Sequence, residues 1–191
     1  TIRAGMVLVP LGIINEFHEP STFFGALRPE TERHIIPTTW RANGVGFIGS
    51  FDSGIGFRIY VLEGLIAAKF SAGGIRSGRQ SGAKAIAEDL GIAGKVEYTG
   101  VPGLNVGASV FTGNSGQGLT DSLGNKINSP TTVFSIHGIL ARSGFEIRTL
   151  YAYSSIGDVI RLNSALEFSG SKSVGEEQFG YYLTFGYNIL Q

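Results

Sequence analysis

Residues 44–63, GVGFIGSFDSGIGFRIYVLE, alternate in a way that few folds can absorb. After the cluster Asp52-Ser53-Gly54, Ile55, Phe57, Ile59 and Val61 fall on one side of an extended chain, and Gly56, Arg58, Tyr60 and Leu62 on the other. A strand sends successive side chains to opposite faces, so this is a period-two pattern interrupted by a turn. The bulky row is continuous, whereas its opposite mixes glycine, polar residues and arginine. A soluble sheet accommodates the pattern with the bulky row inside, and a membrane barrel with the bulky row against lipid.

Composition narrows the choice. Charged residues are 16% of the chain, below the ~25% usual for soluble domains, and 29 glycines argue for strands and turns over helices. The net charge is zero, which removes the electrostatic case for a nucleic-acid partner. Without cysteine there are neither disulfides nor thiolate metal sites. No run reaches the ~18 apolar residues of a membrane helix, a test to which barrel strands are blind.

Taken in order, the chain repeats the opening pattern. Residues 2–9 alternate up to Pro10, and residues 90–99, 104–111, 131–140, 145–153 and 178–190 do the same, giving about eight strands with the two of residues 44–63. Between them lie irregular stretches at 11–43, 64–89, 112–130 and 154–177, with helices expected at 81–90 (SGAKAIAEDL) and 158–167. The remaining joints are tight: 52–54, 100–103 and 141–144. Long and short connections therefore alternate, the layout of an all-β, antiparallel up-and-down transmembrane barrel with short turns at one end and long loops at the other. Aromatic residues on the bulky face are expected in two bands. Phe51, Tyr98, Phe145 and Tyr187 fall at the short-turn end, and Tyr151, Tyr153, Phe179 and Tyr181 at the long-loop end. The whole of 1–191 reads as one domain of this kind. A β-sandwich, soluble or surface-attached and binding ligands through its loops, is the alternative, and a complete eight-stranded anchor barrel is a third.

Residues 4–40, AGMVLVPLGIINEFHEPSTFFGALRPETERHIIPTTW, resemble the signature segment of the phosphate-selective porin O and P family of Gram-negative outer membranes. Residues 44–64, 98–118 (YTGVPGLNVGASVFTGNSGQG) and 174–187 (VGEEQFGYYLTFGY) are similar to the same family. The resemblance implies a barrel about twice this length, assembled as trimers in the outer-membrane lipid bilayer, that passes small solutes or inorganic anions such as phosphate. With no leader at Thr1 and Gln191 in place of a terminal aromatic, the chain is expected to be a fragment of about half a barrel.

If the bulky face meets lipid, the other lines a pore. It presents Arg3, Arg58, Lys95, His137 and Arg148, with Glu97 and Glu146 interspersed. Cationic side chains lining a pore favour anions, unless Lys95 with Glu97 and Arg148 with Glu146 neutralise each other as cross-strand pairs. The 11–43 loop is apolar enough to fold inward and set the bore, bringing Arg28, Arg33 or Arg41 to a constriction, or to contact a neighbouring protomer. His18-Glu19 and Glu32 with His34 have no metal-motif spacing. Residues 113–118 (GNSGQG) lack the lysine and the helix of a phosphate loop. With no serine elbow, carboxylate pair or cysteine nucleophile, neither an enzyme nor a cofactor is expected.

Overall fold

A computed structural model describes residues 1–17, 19 and 22–189. His18 and Gln191, invoked above, lie outside the described residues. Eight strands, β1 (Ile2–Leu8), β2 (Arg41–Ser50), β3 (Ile55–Glu63), β4 (Leu90–Tyr98), β5 (Leu104–Asn114), β6 (Pro130–Arg142), β7 (Phe145–Ile156) and β8 (Glu177–Tyr187), form one antiparallel sheet in chain order. The sheet is open: β1 and β8 are its edges and do not pair with each other. The one α-helix among the described residues, α1 (Val159–Ala165), is shorter than the expected 158–167.

The tight turns follow from local chemistry. β6 runs through Arg142, so its joint to β7 shrinks from the expected 141–144 to Ser143 and Gly144, both in the left-handed region (φ 50° and 81°). Such a two-residue loop has the twist that an antiparallel hairpin needs. The expected helix at 81–90 is absent because side chains capture its backbone. Asn43 Nδ2 donates to Gly82 O (2.7 Å), Gly82 N donates to Glu63 Oε1 (2.9 Å), and Gln80 binds the Ile86 amide and carbonyl. β5 and β6 also reach further than expected, leaving 115–129 as their connection.

The two faces of the sheet differ sharply. On one, Phe47, Ile59, Val96, Leu183 and Phe185 are all exposed, Ile59 at 47% and Phe185 at 70%. On the other, Val7, Tyr60, Leu62, Phe111, Val133 and Leu150 are buried. What buries them is the segment 9–40, together with parts of the later long loops. Trp40 sets its ring against Phe111, with centroids 4.7 Å apart. Asn15, fully buried, ties the two ends of the segment together. Its Nδ2 donates to the carbonyls of Val9 and Trp40, and its Oδ1 accepts from the Trp40 amide at 2.7 Å. Gly46 shows how closely the sheet packs, since a Cβ there would stand 2.0 Å from Ile59 O and 2.6 Å from the Tyr60 ring.

The segment therefore spans 9–40, not 11–43, and Arg41 is not in it. Arg41 opens β2 opposite Leu8, on the face that carries Val45 and Phe47. The aromatic bands are unequal. Phe57 and Phe185 join Phe51, Tyr98, Phe145 and Tyr187 near the short turns, with the Phe145 and Tyr187 rings 4.5 Å apart. Tyr151 and Tyr181, paired across β7 and β8, stand in mid-strand, which leaves Tyr153 and Phe179 at the other end. Phe111→Ala is expected to cost about 3–5 kcal/mol by opening a cavity under Trp40. Denaturant unfolding followed through Trp40, the chain's single tryptophan, measures it, and native emission should shift to longer wavelength.

Candidate functional site

Strand register gathers the charged residues of the covered face. Arg58, Lys95, Ser109 and Ser135 stand opposite one another across β3 to β6. One row towards the short turns come Glu97, Gly107, His137, Leu150 and Tyr182, and beyond them Asn105, Ile139, Arg148 and Thr184. The segment 9–40 lies over these rows and supplies their partners.

Lys95 is the centre. Its side chain is 2% exposed, and Nζ donates to Gly12 O (2.8 Å) and Glu16 Oε2 (3.1 Å) and pairs with Glu97 Oε1 (3.0 Å). These account for all three ammonium protons. Arg58 Nη1 reaches the same two carboxylates, Glu16 at 3.0 Å and Glu97 at 2.7 Å, so each carboxylate bridges both cations. Ser109 Oγ accepts from the Gly12 amide and shares a hydrogen bond with Ser135 Oγ (2.7 Å). His137 Nε2 faces Glu97 Oε1 at 3.6 Å.

A second set anchors the rest of the segment. Arg148 is bonded to the Glu146 carboxylate and the Thr22 carbonyl, with its guanidinium 4.5 Å from the centre of the Phe24 ring. Glu32, fully buried, accepts from the amides of Ile13 (2.9 Å) and Ile14 (2.7 Å) and from Tyr182 Oη (2.6 Å). Burial raises the Glu32 carboxyl above the ordinary carboxylate range, with the bonds from Tyr182, Ile14 and Ile13 acting in the opposite direction.

A third group joins Arg28 to Arg76 and Arg79, neither of which was singled out from sequence. Arg76 Nη1 and Arg79 Nη1 both donate to Thr38 O, at 3.4 and 2.7 Å, while Arg28 Nη1 donates to Thr38 Oγ1 (3.2 Å). Desolvation, together with the charges of Arg28 and Arg33, lowers Arg76; desolvation and the Arg76 charge bring Arg79 down to about 10. The charges of Arg28 and Arg33 thus act on Arg76, and that of Arg76 on Arg79, where the segment meets the 64–89 loop.

The expected site residues therefore divide. Arg58, Lys95, His137 and Arg148 share the covered face and are engaged there, while Arg3 is exposed on the edge strand β1. Arg28 belongs to the arginine group at Thr38; Arg33 is half exposed and paired with Glu30. His34 also pairs with Glu30, at 2.8 Å, so it does not meet the buried Glu32, and no metal-holding cluster occurs among the described residues. The 113–118 loop spends its amides internally: Ser115 and Gly116 donate to Asn128 O, and Gln117 to Asp89 Oδ2. Glu16, Asn105, Arg76 and Arg79 were not among the expected site residues. Glu16 and the two arginines lie in aperiodic loops, whereas the polar row of β5 already offered Asn105.

No family model matches the chain. A protein of Aquifex aeolicus (strain VF5), itself described as uncharacterized, is 35% identical over 198 aligned residues. The match takes in all of this chain and 44% of the relative, so the chain spans less than half of that protein's length.

Lys95→Ala is expected to cost about 3 kcal/mol and to expose 9–40 to limited proteolysis ahead of the strands. Glu32 carries a pH dependence of known sign. Its raised folded value means that its contribution is complete below the pKa of an unfolded glutamate and is lost as pH rises through the folded value. Trp40 emission should report loosening of the segment across that window, and Glu32→Gln should flatten the response.

Proposed function

We propose that the chain is a section of a bacterial outer-membrane β-barrel porin through which small hydrophilic solutes diffuse passively. The observation that carries this reading is the inverted sheet: continuous apolar rows exposed on one face, charged and polar rows covered on the other. In water, so wide an apolar surface is a liability. Against hydrocarbon it is the arrangement a barrel wall requires. The open edges β1 and β8 also fit, because backbone groups in lipid must find partners, which further strands of a larger barrel supply. Three such barrels would form the trimer that the family resemblance implies.

In this reading the segment 9–40 lies within the barrel and sets the bore. Its fastening by Lys95, Arg58 and Arg148 leaves those cations charge-balanced by Glu16, Glu97 and Glu146. The anion preference included in the reading is therefore assigned to Arg76 and Arg79, which donate chiefly to the backbone carbonyls of Arg33, Thr38 and Arg76. Reconstitution into planar lipid bilayers tests both parts. Stepwise conductance with an anion-favouring reversal potential is expected, and Arg76→Ala with Arg79→Ala should move that potential towards cation preference. A protein that stays monodisperse without detergent and gives no conductance would defeat the reading.

A further inference from the structure

Between residues 22–29 of the segment and the strands β7 and β8 lies a pocket of about 250 Å³, apolar over most of its wall. Ile14, Phe24, Leu27 and the Tyr182 ring supply that wall, and Arg148 and Thr184 its polar groups. Tyr182 Oη is spent on Glu32, so its contribution here is the ring. The pocket is open to solvent, with Leu27 74% and Phe24 48% exposed. Arg148 holds Glu146 through Nε and the Thr22 carbonyl through Nη1. Its Nη2 has no partner among the described residues. Unlike the buried His137 Nδ1 and Asn105 Oδ1, it is not withdrawn from solvent, and the Arg148 side chain is 18% exposed. Thr184 stands directly across from Arg148 in the β7–β8 register. Its hydroxyl reaches the Arg148 carbonyl only at 3.5 Å, a bond long enough to be given up to a better acceptor at little cost.

Two neighbouring donors beside an apolar wall select the ligand. A carboxylate accepts from Arg148 Nη2 and Thr184 Oγ1 in charge-assisted hydrogen bonds, while an apolar body displaces water from Ile14, Phe24 and Leu27. An inorganic anion satisfies the donors but gains nothing from the apolar wall. A neutral apolar molecule strips water from the guanidinium and replaces it with nothing. Glu146 on the Nε side does not bar a second carboxylate, since Arg58 holds Glu16 and Glu97 at once. The volume, just below the ~300 Å³ at which drug-sized sites begin, limits the body to about one ring. We infer that this pocket is a binding site for a monocarboxylate whose apolar body is about the size of one aromatic ring, held by Arg148 and Thr184. The site takes its meaning from the porin reading, on which it rests, as a place where one class of organic anion is retained beside the bore.

Equilibrium dialysis of the purified full chain with radiolabelled benzoate tests it, read against protein-free micelles of the same detergent and in competition with unlabelled benzoate, benzamide and inorganic phosphate. Saturable binding that benzoate displaces, and that benzamide and phosphate do not, is expected. Thr184→Val should weaken it about tenfold, the effect of losing one hydrogen bond to a charged group. Arg148→Gln should abolish it. Leu27→Asp, which sets a like charge on the open side of the pocket, should also weaken it about tenfold, while Leu123→Asp, at an exposed position outside the pocket, should leave it unchanged. Trp40 emission identifies any variant that has lost the segment, and Leu27→Asp, made at an exposed residue, decides the matter if Arg148→Gln fails to fold. Absence of saturable benzoate binding, displacement by benzamide or phosphate, or binding indifferent to Thr184→Val or to Leu27→Asp would each overturn the inference. Bilayer conductance without benzoate binding would sink this site and leave the channel standing. Benzoate binding without conductance would do the reverse.

Discussion

The ammonium of Lys95 is almost wholly withdrawn from solvent, and the rest of the architecture follows from how that charge is satisfied. Removing an ammonium from water costs several kcal/mol even after relaxation. The strand neighbour Glu97 returns part of this, and the remainder comes from the Gly12 carbonyl and Glu16, both on the segment 9–40. Burial of the lysine and docking of the segment are thus one event. Period two then dictates the other face: with Arg58, Lys95 and His137 turned towards the segment, Phe57, Ile59, Val96 and Ile136 must turn away from it. The exposed apolar rows are the necessary counterpart of a covered polar interior.

The segment is fastened by side chains, with little regular structure of its own. A short π-helical turn at Thr31–Ile35 is its main regular element, and that turn places Glu32 under Tyr182. Asn15 substitutes for a strand partner by pairing with the backbone of Val9 and Trp40. Such a segment derives its order from the sheet beneath it, so its contacts, more than its own propensities, determine where it lies. The contrast with the arginine group at Thr38 is physical. Around Lys95, cations and carboxylates alternate and cancel; around Thr38, desolvation and neighbouring guanidinium charge lower Arg76 and Arg79, which rest on carbonyl oxygens.

Strand identity, strand order and the alternation of long and short joints were legible because each rests on short-range regularities. Ile55 to Val61 alternate, Ser143-Gly144 can take the left-handed turn, and proline stands at the end of the first strand. The helix expected at 81–90 failed for the opposite reason: Asn43, Glu63 and Gln80, mostly distant in sequence, claim its backbone. The site was half legible. Register parity placed Arg58, Lys95, His137 and Arg148 on one face without coordinates. Two of their partners, Glu97 and Glu146, were readable beside them on the same strands, whereas Glu16 and Thr22 belong to an aperiodic stretch whose position over the sheet no local rule specifies. Arg41 was misplaced by the width of a loop boundary, and at a strand end that error also reverses the face.

The register bears further on the proposed placement of the exposed face. Followed from β3, the row beginning at Ile55 passes through Tyr98, Val106, Gly138 and Thr149 to Leu183. It starts beside a short turn and ends in the middle of β8. The row through Ala4, Val45, Val61 and Ile92 continues into Thr112, Thr132, Ser155 and Glu177, leaving the middle of β1 and arriving at the long-loop end of β8. Rows that drift along the strands are the signature of shear, and a sheared sheet in a flat apolar layer has tilted strands. Along that oblique row apolar residues give way to threonine, serine and glutamate as it approaches the loop end. A soluble core has no reason to set such a border at a fixed height along tilted strands. A hydrocarbon layer of fixed thickness does, and this supports the proposed placement of the exposed face against lipid.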